Sequence, residues 1–302
     1  MRFLDRIIVI AIAIYVGSLV FGKWQGEQAE APRRPPPQEL PQPRQVPPAQ
    51  IPPAQERVAP APRQAGDVEI ERQERELDDL GRGRVNIIET NDRRRGQVSS
   101  GTAWSAGNDV WASARHVVEG CGRLMFEGST WRPVTTLNSH PDADVAAIKA
   151  GFAREFIPIS ARAPEPGERA FGVGYPQRQA GVIHLRLRGS ERVKLSGRIG
   201  SDKPFRAYVW HVERYPRIKG DPERVGGLSG GPIIDRSAQA IGVAIFEAPR
   251  RHALGSVSLS DLRRTVGPTQ ERAGRARLEP RDFDAAGRQL LERGIVMQVF
   301  CR

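Results

Sequence analysis

Apolar and polar positions fall into distinct regimes along the chain. Residues 7–22, IIVIAIAIYVGSLVFG, form an apolar run without a charge. Residues 31–63 alternate proline with polar residues and offer nothing to bury. Residues 66–81, GDVEIERQERELDDLG, are highly charged and predict a short solvated helix. From about residue 84 the pattern changes to short apolar runs separated by Gly, Pro, Asn and Asp. Examples are SSGTAWSAG, DVWASARHVV, GRLMFEG, ADVAAIKA, AFGVGYP, GVIHLRLRG, RAYVWHVE, GPIID, AIGVAIF and ALGSVSLS. Runs of this length and spacing predict the strands of an all-β sandwich or barrel. The gaps are mostly too short for the helices that parallel strands require between them. A helix is predicted over SDLRRTVG, capped by Ser260 and ended by Gly267. A second is predicted at 281–293, followed by the apolar tail IVMQVF.

These regimes divide the chain into a membrane segment (1–24), a proline-rich and charged linker (25–83), a folded domain (84–266) and a C-terminal extension (267–302). The apolar run is somewhat short of the roughly 20 residues a spanning helix needs. It also resembles the apolar core of a signal peptide, with Arg2 and Arg6 before it. An A-x-A-like site, Ala29-Glu30-Ala31, lies well beyond the run, with Lys23, Glu27 and Glu30 intervening. An uncleaved signal anchor is therefore expected in preference to a cleaved peptide. Arg2 and Arg6 place its amino terminus in the cytoplasm, and the rest of the chain beyond the inner membrane. Twelve of the 25 prolines lie between Pro32 and Pro62. At about 3.1 Å per residue, this tract forms an extended stalk on the order of 100 Å long.

The net charge of +11 permits attraction to nucleic acid or anionic lipid but says nothing about fold. No Lys/Arg run with interleaved aromatics accompanies it, so a nucleic-acid partner is not expected. Two cysteines, Cys121 and Cys301, form no CxxC or His/Cys cluster. A zinc site is therefore not expected.

Three segments can carry chemistry. The first is Gly226-Gly227-Leu228-Ser229-Gly230-Gly231-Pro232. A serine hydroxyl needs a base to take its proton, and its attack on a carbonyl creates an oxyanion that N–H donors must meet. Flanking glycines allow φ > 0 and a close backbone approach. The second is Gly101-Thr102-Ala103-Trp104 followed by Asp109 to Val118, in which His116 ends a strand and enters a helical turn. His140, His184, His211 and His252 lie in alternating strands or loops and read as ordinary surface or partly buried imidazoles. The third is Asp142-Ala143-Asp144-Val145-Ala146-Ala147-Ile148. A carboxylate there can hold an imidazole in one tautomer. Asp144 is preferred to its rival Asp142, because the apolar run begins immediately after it.

GTAW, SARHVV, DADVAAI and GGLSGGPIID, in the order His, Asp, Ser, resemble the motifs of trypsin-like serine proteases over roughly residues 84–266. The compact spacing and the ending GPIID…QAIGVAIFEA…ALGSVSLSDL look most like the bacterial HtrA/Deg branch. The resemblance implies two six-stranded antiparallel β-barrels, an active site between them, and no cofactor. It implies His116 as general base, Asp144 as its partner, Ser229 as nucleophile, and the N–H groups of Gly227 and Ser229 as oxyanion hole. It places Ala244, Ile245, Phe246, Gly255 and Ser256 around the substrate pocket, with Glu223 or Asp221 either at its floor or as loop charges. Two family features are missing. Leu228 stands where the digestive members carry an aspartate, so activation by N-terminal cleavage is not supported. The segment after Val266 is too short for a PDZ domain.

The expected protein is thus a protease of protein or peptide substrates, tethered to a bacterial inner membrane with its catalytic domain in the periplasm, or secreted if the leader is cleaved. The second reading is a silent protease-like binding module on a stalk. Outside the cytoplasm a disulfide between Cys121 and Cys301 is expected, with two free thiols as the alternative.

Overall fold

The computed structural model describes residues 65–78, 85–89, 98–127, 132–151, 155–197, 200–201, 203–267 and 278–301. The apolar run at 7–22 and the proline tract lie outside the described residues. Among the described residues, no helix is long and apolar enough to cross a membrane.

Thirteen strands and four α-helices follow one another among the described residues. The first sheet contains β2 (Ser99–Gly107), β3 (Val110–Ser113), β4 (Leu124–Phe126), β5 (Arg132–Ser139), β6 (Ala146–Lys149) and β13 (Val296–Cys301). Its strands close into an antiparallel barrel in the order β13-β2-β3-β6-β5-β4. The two residues between β2 and β3, Asn108 and Asp109, both have positive φ, as a tight hairpin turn demands. Trp104, Trp111, Phe126 and Ile148 fill the interior, and the rings of Trp111 and Phe126 meet edge-on with centroids 4.7 Å apart.

The second sheet contains β1 (Val85–Glu89), β7 (Arg169–Gly174), β8 (Gly181–Ser196), β9 (Phe205–Arg214), β10 (Pro232–Ile234), β11 (Ala240–Ala248) and β12 (Ala253–Val257). Its order is β1-β8-β7-β10-β11-β12-β9, and β9 also pairs with β8, so six of its strands return on themselves. The seventh departs from the expected all-antiparallel arrangement: β1 pairs parallel with the end of β8. The reason lies in strand length. β7 pairs only with the first six residues of the sixteen-residue β8. The remainder of that edge would expose unpaired N–H and C=O groups, and β1 covers residues 192–196 of it.

The C-terminal segment ties the two sheets together. Helix α4 (Phe283–Glu292) packs on β7 and β8, with the Phe283 ring stacked on Phe171 at 4.7 Å. The expected apolar tail then becomes β13, which completes the first barrel between β2 and β4. A disulfide joins Cys301 at its end to Cys121, just beyond the short helix α2 (Arg115–Val118).

Two expectations about helices are corrected. Helix α3 spans Leu259–Val266, and its N-cap is Ser258, whose hydroxyl accepts from the Asp261 N–H. Ser260 lies inside the helix and gives its hydroxyl hydrogen to Glu74. Gly267 ends the helix at φ +88°. The charged helix α1 (Ala65–Glu76) is solvated on one side only. Ile70 and Glu74 are fully buried, and Leu77 just beyond it is buried too. Charge density concealed that face, because the buried polar residue is itself a carboxylate. Glu74 accepts from the Tyr208 hydroxyl at 2.5 Å and from the Ser260 N–H at 3.0 Å. Burial raises its pKa above the ordinary carboxylate range, and these bonds partly oppose the rise.

Candidate active site

The helical turn after β3 carries His116, and the loop before β6 carries Asp144. Antiparallel pairing of β3 with β6 sets Ser113 opposite Ala146, so the two loops emerge at the same end of the barrel. Asp144 is almost fully buried, at 1% exposure. One carboxylate oxygen, Oδ2, lies 2.6 Å from His116 Nδ1, and the other accepts the His116 backbone N–H at 2.9 Å. This two-point grip fixes both the position and the plane of the imidazole. It also assigns the proton to Nδ1, leaving Nε2 as the basic nitrogen.

Asp142, the rival acid, is engaged through its main chain with a different imidazole. Its backbone N–H donates to His140 Nδ1 at 3.2 Å.

Ser229 sits in the turn between Val225 and β10, half-buried and facing a cavity of about 450 Å³. His116 and Asp144 line the same cavity. The serine loop is tied down at several points. The Ser229 carbonyl accepts the Thr102 N–H at 2.8 Å, and the Gly230 N–H donates to the Ala244 carbonyl at 2.8 Å. Thr102 Oγ1 donates to the Gly227 carbonyl at 2.8 Å and accepts the Tyr175 N–H at 3.1 Å. One buried hydroxyl thereby joins the first barrel to two loops of the second.

Glycine is required at Gly230. Its φ is +90°, and a Cβ there would collide with the Thr102 carbonyl oxygen and the Ser113 hydroxyl. Gly227, at φ +100°, would place a Cβ 2.5 Å from the Tyr175 carbonyl oxygen. The N–H groups of Gly227 and Ser229 have no backbone acceptor among the described residues. Of these two residues, Ser229 lines the cavity and Gly227 does not.

Leu228, between them, is buried at 2% exposure. This apolar side chain occupies the interior where the digestive proteases need a carboxylate, so the turn is held without an ion pair at that position.

Of the residues assigned to the substrate pocket, Ala244, Ile245 and Phe246 line the cavity. Gly255 and Ser256 are absent from the lining. The Phe246 ring lies where a Gly255 side chain would be. Ser256 is fully buried, and its hydroxyl accepts the Trp210 indole N–H at 2.9 Å. Leu254 lines the wall instead.

Asp221 and Glu223 are exposed loop residues outside the lining. Besides Asp144, the carboxylate that lines the cavity is Glu247, which accepts the Val225 N–H at 2.5 Å. Ile88 of β1 contributes a further apolar wall. Nothing in the motifs pointed to Glu247 or Ile88. Among the described residues, no group of three or more His, Cys, Asp or Glu side chains could hold a metal ion.

Residues 99–243 match the trypsin-like peptidase domain family. A search of curated protein sequences finds no match. Among solved structures, the chain is similar to the active form of the Rv3671c protease from M. tuberculosis, with 21% identity over 57% of this chain and 76% of that one and a TM-score of 0.46. It is also similar to the MamO protease domain from Magnetospirillum magneticum, at 15% identity over 55% and 93% of the two chains and a TM-score of 0.38. A serine endoprotease from Yersinia pestis is similar at 15% identity over 55% and 56%, with a TM-score of 0.39. Residues 99–243 contain the imidazole, the buried carboxylate and the glycine-flanked serine described above, and over these residues the chain carries a trypsin-like peptidase domain.

Proposed function

We propose that this endopeptidase cleaves protein substrates through Ser229 as nucleophile, His116 as general base and Asp144 as the group that orients the base. The observation that carries this reading is the pair of bonds from Asp144 to His116, 2.6 Å to Nδ1 and 2.9 Å to the backbone N–H, at the wall of the cavity that Ser229 also lines. With Nδ1–H held by a buried carboxylate, Nε2 takes the serine proton as Oγ attacks the scissile carbonyl. The imidazolium formed is stabilised by Asp144, which stays ionised. The N–H groups of Gly227 and Ser229 meet the oxyanion. His116 then returns its proton to the leaving amine, and water releases the acyl group by the reverse sequence.

The N-terminal apolar run is proposed as an anchor in a bacterial inner membrane, with the proline tract as a stalk presenting the domain to the periplasm. The placement of Lys23, Glu27 and Glu30 between that run and the nearest small-residue cleavage site supports the anchor.

Ser229→Ala tests the catalytic reading. The variant should retain its fold by circular dichroism, lose hydrolysis of unfolded casein, and lose labelling by a fluorophosphonate probe. Equal labelling of wild type and variant would overturn the assignment. Absence of labelling in the wild type would favour a silent binding module.

A further inference from the structure

The loop carrying Asp144 is organised around a second histidine. His140 lies four residues before Asp144 and is buried at 7% exposure. Its Nδ1 is 2.8 Å from the Ala143 N–H and 3.2 Å from the Asp142 N–H. Both are backbone donors, so Nδ1 must be the acceptor and must carry no proton. The remaining ring nitrogen, Nε2, therefore bears the hydrogen. It is buried and lies 3.4 Å from Asp261 Oδ1 on helix α3. That is an electrostatic contact, longer than a well-formed hydrogen bond. The loop is closed by a backbone bond from the His140 N–H to the Val145 carbonyl at 3.0 Å. Residues 140–145 thus wrap around an imidazole, and the side chain this wrapping projects toward His116 is Asp144.

We infer that His140 is a positioning residue for catalysis, whose unprotonated Nδ1 gathers the Asp142 and Ala143 N–H groups and so sets Asp144 against His116. The inference rests on the triad reading above. It assigns a role to an imidazole that touches neither substrate nor the reacting atoms. Its specific content is an acceptor at one ring position. Asparagine places a carbonyl oxygen near the Nδ1 position, whereas glutamine places its polar group near Nε2. A residue needed only to fill space would not distinguish the two.

Four charged groups face or act on this ring: Asp142 on its own loop, Asp261 and Arg264 from helix α3, and Arg115 from helix α2. Burial is the largest influence and, with Arg264 and Arg115 acting the same way and Asp142 opposing, depresses the imidazole to about 4. The ring is therefore neutral at working pH, as its acceptor role requires.

The test compares His140→Asn with His140→Gln on unfolded casein, with Ser229→Ala as the inactive reference. His140→Asn should keep kcat within about threefold of wild type. His140→Gln should lose on the order of 10²-fold in kcat, as small misplacements of catalytic groups do, with KM nearly unchanged. Equal activity of the two variants would overturn the inference while leaving the triad intact. Casein hydrolysis surviving in Ser229→Ala would instead overturn the triad reading.

Should either variant fail to fold, the wild type supplies a second measurement. In protein labelled with ¹⁵N-histidine, His140 should appear as the neutral form protonated at Nε2 and remain unchanged from pH 8 to pH 5.5. A His140 that titrates near the ordinary value, or that carries its proton on Nδ1, would overturn the inference.

Discussion

Replacing Thr102 by valine removes one hydroxyl and almost nothing else, since the two side chains have nearly the same shape. Thr102 is fully buried. Its hydroxyl donates to the Gly227 carbonyl at 2.8 Å and accepts the Tyr175 N–H at 3.1 Å. In Thr102→Val both backbone groups lose this partner. Each buried polar group left unsatisfied costs about 1–3 kcal/mol, so the serine loop loses about 2–4 kcal/mol of restraint once relaxation is allowed for. Gly227 then gains freedom to rotate, and its N–H no longer points reliably at the oxyanion site. Loss of one such donor costs on the order of 10²-fold in kcat. The assay is casein hydrolysis together with the second-order rate of fluorophosphonate labelling, both measured well below the melting temperature. Thr102→Ser keeps the hydroxyl and should stay within about fivefold of wild type, a margin consistent with about 1 kcal/mol for the lost methyl group. Full activity in Thr102→Val, or an equal loss in Thr102→Ser, would refute the clamp.

Other consequences follow from the same geometry. Asp144→Asn should leave the fold intact but lower kcat on the order of 10⁴-fold, the loss seen when a triad imidazole is held in the wrong tautomer. A decrease under tenfold in a casein assay would contradict the role of Asp144. The Cys121–Cys301 bond closes a loop of 180 residues, which the chain-entropy model values at about 5 kcal/mol. Urea unfolding of the Cys121→Ser/Cys301→Ser variant should show a lower midpoint, and an unchanged midpoint would show that the bond contributes nothing. His140 is depressed from 6.5 to about 4, so between these values the unfolded chain binds the extra proton. Stability should therefore be full above about pH 6.5 and decline toward pH 4, by up to about 3 kcal/mol. His140→Asn should lack this component, and parallel pH–stability curves for wild type and variant would argue against it.

The segments that the structure brings to one cavity, those of His116, Asp144 and Ser229, were legible because each has a local signature. A serine among glycines, a histidine at a strand end and an aspartate before an apolar run each carry a backbone signature. The all-β class was legible from the short apolar runs, and the two barrels were implied by the family resemblance, but the closure of the first barrel was less readable. IVMQVF reads as an apolar tail until its register with β2 and β4 is known, and no local pattern reveals partners some 170 to 200 residues distant. The parallel strand β1 was unreadable for a related cause: its place depends on how far β8 outruns β7. Helix α1 was misread as fully solvated because Glu74 is buried among Tyr208, Ser260 and Arg206, which sequence separates by 130 residues or more. The cavity wall holds Leu254 and not Gly255 or Ser256, with the Phe246 ring covering the glycine, an arrangement that depends on packing between β11 and β12. His140 looked ordinary because its function lies in what its nitrogen accepts, and composition carries no trace of that.

The central claim is that an imidazole held by Asp144 activates the Ser229 hydroxyl beside the N–H groups of Gly227 and Ser229. A crystal structure of the protein after reaction with a fluorophosphonate tests it in one measurement. The account predicts phosphorus bonded to Ser229 Oγ, a phosphoryl oxygen within hydrogen-bond reach of both N–H groups, and His116 still gripped by Asp144. An adduct on another residue, or a phosphoryl oxygen pointing away from those two donors, would contradict it.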